Sequence, residues 1–168
     1  MIYTNCQNWY ALYTKSRHEK FVEESLLKKG IDAFTPKVAL RKYWSDRIKI
    51  VHEPLFKGYC FAKFALCEKL NAIRQRGVVN LVRFRDQYIP VPESVIQSLK
   101  ILTEQGIKLD PCPYIKVNDS VVITRGPLKG VEGIVLEKRN KNTTLVISVE
   151  AINSAVKCIV DIDSIDLA

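Results

Sequence analysis

The strongest constraint on the fold of this chain is a change of pattern near residue 107. Before that point, apolar residues recur with the period of a strand in some stretches and of a helix in others. After it, only short apolar runs occur, and they are separated by Gly, Pro, Asn and Asp. These runs are 121–123, 133–136, 145–149 and 158–160. The sequence therefore predicts two domains, 1–106 and 117–168, joined by a linker at 107–116.

The first part predicts alternating strands and helices. In chain order they are a strand at 9–14, a helix at 16–29, extended arms at 33–44 and 48–52, a strand at 58–64, a helix at 68–76, a strand at 79–84 and a helix from Pro92 to Gly106. Ser16 and Glu19 fit a capping box at the first helix. Phe21 and Val22 are predicted on its apolar side, and Leu70 is predicted to face inward from the second helix.

The second part predicts a small closed β-barrel, because closure leaves no unpaired strand edge. Its charge differs from that of the first part. Residues 1–106 hold 18 of the 26 Lys and Arg and 10 of the 18 Asp and Glu, whereas 107–168 hold 8 of each. The net charge of +8 therefore lies in the first part and predicts an anionic partner there. The alternative is that surface cations only keep the protein in solution.

Several classes of protein are disfavoured by the sequence. No apolar run approaches the ~18 residues of a membrane span, and the N-terminus lacks a signal-peptide pattern. The 5 cysteines form no C-x-x-C pair and are expected to be reduced in the cytoplasm. No phosphate-binding loop, zinc signature, dinucleotide fingerprint or nucleophile elbow occurs. We therefore expect neither an enzyme nor a metal or other cofactor.

Several stretches together resemble a known family. They are WYA at 9–11, KSRHE at 15–19, PLFKGYCF at 54–61, RGV at 76–78, LVRF at 81–84, IPVP at 89–92, and VNDSVVI at 117–123 with GPLKG at 126–130. The first six resemble the N-terminal domain of NusG proteins, and the last two resemble a KOW motif. The resemblance implies an α+β fold, in which an antiparallel sheet flanked by helices precedes an SH3-like five-stranded barrel.

The resemblance also implies a function and a polymerase contact. It implies a monomeric cytoplasmic elongation factor that binds the clamp helices of RNA polymerase and suppresses pausing and termination. The matching positions for the polymerase contact are Tyr13, Phe56, Tyr59, Phe61 and Phe84. The alternative is that all five are core residues, and alternation within 58–64 favours the core for Phe61. The resemblance moves Tyr13, Phe56 and Phe84 towards the interface.

A second contact is expected with the non-template DNA strand of the elongation complex. In the RfaH-like branch of the family, positions matching Lys28 and Arg76 meet this strand, and Lys29 and Arg74 are their neighbours. Phosphate attraction and contact to unstacked bases would explain such cations. The alternative is that they complement the dipoles of the two helices that they follow.

The loop of the second domain points to the RfaH-like branch. Ile152, Asn153 and Ser154 stand where general NusG proteins carry Phe-Gly-Arg, which contacts the termination factor Rho and ribosomal protein S10. The replacement puts Rho binding in doubt and leaves ribosomal protein S10 open as a partner. An antiterminator of specific long operons is therefore favoured over a general factor. A ribosome-associated or RNA-binding KOW protein is a further alternative.

Overall fold

The computed structural model describes residues 6–44, 47–83, 86–106, 109–113, 120–139, 142–161 and 165–167. Within these ranges, the chain forms twelve strands and three α-helices. They are β1 (Asn8–Thr14), α1 (Glu19–Leu27), β2 (Asp32–Phe34), β3 (Lys37–Tyr43), β4 (Ile48–Pro54), β5 (Tyr59–Phe64), α2 (Lys69–Ile73), β6 (Val78–Leu81), α3 (Glu93–Glu104), β7 (Asp110–Pro113), β8 (Ser120–Ile123), β9 (Glu132–Arg139), β10 (Asn142–Val149), β11 (Ser154–Asp161) and β12 (Ile165–Leu167). The predicted α+β class is confirmed.

Backbone contacts divide the chain into two units. Unit 1 comprises Met1–Thr35, Phe56–Glu93 and Glu150–Ile152. Unit 2 comprises Pro36–Leu55, Ser94–Val149 and Asn153–Ala168.

Unit 1 contains a four-stranded antiparallel sheet in the order β2-β5-β1-β6. The prediction that 58–64 forms a central strand is confirmed, because β5 pairs with β1 on one side and with β2 on the other. Cys60, Phe61 and Ala62 are buried in succession, so both faces of β5 are covered at this point. The core of the unit consists of Tyr10, Leu12, Val22, Leu26, Cys60, Ala62, Phe64, Ala72 and Leu81.

The predicted capping box at the start of α1 is wrong. His18 is the N-cap residue of α1 and makes no side-chain capping bond. Arg17 has a φ of 62°, so the chain turns between Ser16 and the helix instead of continuing into its first turn. The side chain of Glu19 is buried, and its Oε1 accepts a hydrogen bond from the N–H of Gly58 at 2.7 Å.

Two predicted inward-facing side chains are exposed. Phe21 is 46% exposed, although Val22 beside it is fully buried. Successive helical residues lie about 100° apart, and the buried face of α1 runs through Val22 and Leu26. Leu70 is also exposed, because the five-residue helix α2 buries Ala72 instead.

Unit 2 contains a two-stranded hairpin, β3-β4, and a six-stranded antiparallel sheet in the order β12-β8-β9-β10-β11-β7. The four predicted apolar runs lie in β8, β9, β10 and β11. Over the described residues, five of these strands, β8 to β12, lie within 117–168, where five were predicted, and the sixth, β7, lies in the segment predicted as a linker. The buried hydroxyl of Ser98 on α3 accepts a hydrogen bond from the N–H of Glu132 at 2.9 Å.

The sixth strand corrects the predicted linker at 107–116. Residues 107–108 and 114–116 lie outside the described residues, but Asp110–Pro113 forms β7 and pairs with β11. Pro111 and Pro113 are two residues apart, so both lack the N–H that would point to the same side of the strand. Proline is compatible with an edge strand, and β7 is the last strand in the sheet order.

Candidate functional site

Two tyrosines form an aromatic surface at one end of the sheet of unit 1. Tyr13 on β1 and Tyr59 on β5 are cross-strand partners. Their ring centroids lie 5.6 Å apart, and the ring planes are inclined by 58°. Tyr13 is 43% exposed, and Tyr59 is half-buried. The pair therefore offers solvent-accessible aromatic area on a strand framework, where each ring restricts the other.

The loop before β5 is fixed against the end of β1. The carbonyl of Gly58 accepts a hydrogen bond from the N–H of Thr14 at 2.8 Å, while its own N–H donates to Glu19. Gly58 has a φ of +81°, and a Cβ there would lie 3.3 Å from the Tyr13 ring. This loop therefore supports the Tyr13 ring, and Glu19 restrains the loop from the helix side.

Of the two phenylalanines of the predicted contact, Phe61 lies two residues after Tyr59 on β5, and Phe56 lies in the loop before that strand. Phe56 is 5% exposed and Phe61 is fully buried. Their rings meet edge to face, with centroids 6.2 Å apart. The core position that alternation favours for Phe61 is confirmed. The expectation that Phe56 is exposed at an interface has to be corrected, because its ring packs against Phe61. Phe84 lies outside the described residues.

The four predicted DNA-binding cations are all exposed. Lys28 is the C-cap residue of α1, Lys29 follows it, and Arg74 is the C-cap residue of α2. Arg76 lies in the turn between α2 and β6. Because α2 has only five residues, few aligned peptide units contribute to its dipole. Helix-dipole complementation is therefore a weaker explanation for Arg74 and Arg76 than for the two lysines.

The structure brings Lys29 and Arg74 together in one concavity. A pocket of about 520 Å³ in unit 1 is lined by both side chains, together with Lys63, Asp32 and Glu68 among others. Lys28 and Arg76 are not among its lining residues. The predicted cations therefore occupy two places, a pocket of mixed charge and the surface outside it.

The turn that carries Arg74 and Arg76 is tied to α1. The hydroxyl of Ser25 donates to Oε1 of the buried Gln75 at 3.1 Å, and Gln75 Nε2 donates to the carbonyl of Asn71 at 2.6 Å. The N–H of Lys15 donates to the carbonyl of Gly77 at 2.8 Å. Residues before and within α1 therefore form one surface with the Arg76 turn.

The predicted partner-binding loop lies between β10 and β11. Ile152 ends a 3₁₀ turn, Glu150–Ile152, that contacts β1 within unit 1. Its side chain is only 7% exposed. Asn153 is exposed with a φ of 49°, and Ser154 begins β11. Of these three residues, Asn153 presents the most accessible side chain.

Sequence reasoning missed an exposed apolar surface on the β3-β4 hairpin. Tyr43, Trp44, Ile48 and Ile50 are all exposed there, Tyr43 to 79%. Lys49 Nζ lies 6.0 Å from the centre of the Trp44 ring. The sequence did contain a signal for this exposed surface. In both arms of the hairpin, apolar residues are mixed with cations, and such a pattern cannot form one consistently buried face.

The described residues contain no cluster of three or more His, Cys, Asp or Glu side chains that could hold a metal ion. Cys158 is buried on β11, and burial raises the pKa of its thiol to about 11. It is therefore a poor nucleophile. None of the described helices has the length and apolarity that crossing a membrane would require.

Comparison with known proteins identifies the class. The sequence matches the family described as "Transcription termination factor nusG" over residues 7–100, which is more than half of the chain. A solved structure of domain interaction in Thermotoga maritima NusG is 19% identical, with 95% of this chain and 96% of that chain covered and a TM-score of 0.47. Two structures of an MjSpt4:Spt5 complex are 18% and 17% identical to this chain, and each gives a TM-score of 0.32. Each match covers 95% of this chain, and the two matches cover 97% and 96% of those chains.

The chain belongs to the NusG family. It is a transcription elongation factor, and its family is non-enzymatic and binds RNA polymerase.

Proposed function

We propose that this protein is an antiterminator that binds the clamp helices of RNA polymerase through the Tyr13–Tyr59 surface and suppresses pausing and termination on specific long operons. The observation that carries the polymerase contact is the exposed, paired aromatic surface on two adjacent strands. Aromatic side chains on a rigid framework are typical anchors of protein interfaces, because little conformational entropy is lost when they bind.

Phe56 and Phe61 support this contact as buried residues. Their buried edge-to-face pair fixes the loop and strand that hold Tyr59. Phe84 remains a proposed contact on the strength of the family resemblance.

The exposed cations Lys28, Lys29, Arg74 and Arg76 are the proposed contact to the non-template DNA strand. Two observations support this role. Residues 1–106 carry the net positive charge, and the dipole of the five-residue α2 is too small to explain Arg74 and Arg76 by itself. Binding to phosphates would release condensed counterions. That gain shrinks as salt rises, so this contribution to affinity falls with salt.

The proposed mechanism is a shift between two states of the polymerase. A protein that binds the closed clamp more tightly than the open clamp multiplies, at saturation, the ratio of closed to open states by the ratio of its two affinities. Pausing needs the clamp to move, so the closed state favours continued elongation. The chain itself supplies binding energy and no chemical step.

The loop of the second domain supports the specialised branch over a general factor. Ile152, Asn153 and Ser154 lack the aromatic and the arginine of the general pattern, so we propose no contact with Rho. Ribosomal protein S10 is proposed as the partner of this loop. With Ile152 buried against its surroundings, Asn153 is the accessible side chain with which such a contact would begin.

The test of the polymerase contact is Tyr13→Ala, with Tyr43→Ala as the matched control. Both tyrosines are exposed strand residues, but only Tyr13 belongs to the aromatic pair. Loss of an aromatic anchor costs about 2 kcal/mol or more at an interface, which corresponds to a loss of roughly 30-fold in affinity. Binding is measured by titration of core polymerase without nucleic acid.

Tyr43→Ala should bind core polymerase as the unaltered protein does. Equal affinity of Tyr13→Ala and Tyr43→Ala, with normal thermal unfolding of both, would remove the Tyr13–Tyr59 surface from the polymerase contact. A transcription assay on a template with a pause site adds the second readout. Tyr13→Ala should leave pause lifetimes near those without the factor at concentrations where the unaltered protein shortens them.

A further inference from the structure

We propose that Phe21 and His18 form a stacking platform for one unstacked base of the non-template DNA strand. This inference rests on the DNA contact proposed above and adds to it the side chains that engage a base. The two residues lie at the start of α1, beside the turn that carries Arg76.

The exposure of Phe21 needs an explanation. The ring is 46% exposed in a helix whose buried face runs through Val22 and Leu26. Its centroid lies 6.3 Å from that of His18, and the two rings are nearly perpendicular at 83°. Edge-to-face contact holds one side of the phenylalanine and leaves aromatic area open to solvent.

The ring of His18 is held in place. Its Nδ1 lies 2.9 Å from the carbonyl oxygen of Ser16, which can only accept, so Nδ1 is the donor. Gly77 has a φ of +95°, and a Cβ there would lie 3.2 Å from both Cβ and Cδ2 of His18. His18 therefore packs on the Gly77 backbone, and Phe21 rests against a restrained neighbour.

The surroundings of this platform are cationic. Lys15 is joined to Gly77 by its backbone hydrogen bond, and Arg76 immediately precedes Gly77. Lys28 follows Phe21 by seven residues, which is two helical turns along the same face. Of the three carboxylates on α1, Glu19 accepts from the N–H of Gly58, Glu23 accepts from the N–H of Thr35 at 3.2 Å, and Glu24 pairs with Lys20 at 3.8 Å.

A ring between cations fits a single nucleic-acid strand better than a protein. Proteins bind single strands by combining cations for the phosphates with aromatic rings on which unstacked bases stack. A protein-docking surface would need a larger continuous apolar area, whereas polar or charged residues, Lys20 and Glu24 among them, stand beside Phe21 on the exposed side of the helix.

The test uses full-length protein and elongation complexes assembled on a scaffold with an exposed non-template strand. Phe21→Ala should lower affinity about tenfold, since stacking on one base contributes an effect of this order. Phe21→Trp should retain affinity because it keeps an aromatic face. The control is Leu27→Ala, which truncates another exposed apolar residue on a different face of α1 and should have no effect.

Abasic substitutions along the non-template strand test the base directly. At one position, removal of the base should weaken binding of the unaltered protein about tenfold and abolish the difference between it and Phe21→Ala. Loss of affinity by Phe21→Ala on complexes that lack the strand would overturn the inference, because the ring would then contact protein. So would an unchanged affinity of Phe21→Ala on the full complex.

Arg76→Glu separates this inference from the proposed function. If Arg76→Glu weakens binding on the full complex and Phe21→Ala does not, the DNA contact stands and the stacking platform is wrong. If neither variant changes affinity and removal of the strand has no effect either, the DNA contact itself is wrong.

Discussion

The buried carboxylate of Glu19 allows a direct test of how the polymerase surface is supported. Its Oε1 lies 2.7 Å from the N–H of Gly58, at the short end of the range for charge-assisted N–H···O bonds. Hydrogen bonds to charged groups contribute roughly 1.5–3 kcal/mol. Glu19→Ala should therefore lower the free energy of unfolding by about 2 kcal/mol, because it leaves the Gly58 N–H without its acceptor. Glu19→Gln keeps an oxygen acceptor and should cost about 1 kcal/mol.

The matched control is Glu24→Ala, which removes an exposed carboxylate from the same helix. Its pairing with Lys20 is an exposed i,i+4 contact, so the change should be under about 0.5 kcal/mol. Stability is measured by urea unfolding followed by circular dichroism. Gly58 also holds Thr14 and lies against the Tyr13 ring, so Glu19→Ala should weaken binding to core polymerase while still folded. If Glu19→Ala matches Glu24→Ala in both stability and polymerase binding, Glu19 does not support this surface.

Two further predictions concern buried side chains. Phe56→Ala should destabilise the fold by about 3–5 kcal/mol, because truncation of a buried phenylalanine leaves a cavity. If urea unfolding instead shows a normal midpoint and only polymerase binding is reduced, the ring is an exposed contact. Cys158 has a folded pKa of about 11, against 9.0 for an unperturbed thiol. The contribution of this thiol to the free energy of unfolding is fully present below pH 9 and is lost as pH rises towards 11, because the thiol ionises first in the unfolded chain. The shift corresponds to about 3 kcal/mol, and urea unfolding at pH 8 and pH 10.5 should show a smaller loss of stability in Cys158→Ala than in the unaltered protein.

The sequence predicted the elements whose cause is local. The apolar pattern of 58–64 indicated a strand. Successive side chains of a strand point to opposite faces, and the burial of Cys60, Phe61 and Ala62 in succession shows that both faces of β5 are covered there. The apolar runs of the second part located β8 to β11 for the same reason. These inferences needed no knowledge of which segments meet.

The predictions that were wrong depended on contacts between distant segments. Ser16 and Glu19 have the spacing of a capping box, but Gly58 takes the carboxylate from 39 residues away. Phe21 and Val22 are adjacent apolar residues of a helix, yet the buried face of that helix includes Val22 and not Phe21. Asp110–Pro113 contains two prolines and looks like a linker, but an edge strand accepts residues that cannot donate on its open side.

The same distinction governs the candidate site. Sequence could select aromatic and cationic residues by type, but exposure separates those that can contact a partner from those that support them. Tyr13 is exposed and Tyr59 is partly exposed, whereas Phe56 packs against the buried Phe61. The sequence does not indicate that Phe21 is exposed, nor that Gly77 lies against His18 and so joins the start of α1 to the turn after α2. The proposed DNA-binding surface takes its charge from one of these two segments and its aromatic ring from the other, so neither segment alone carries a recognisable motif.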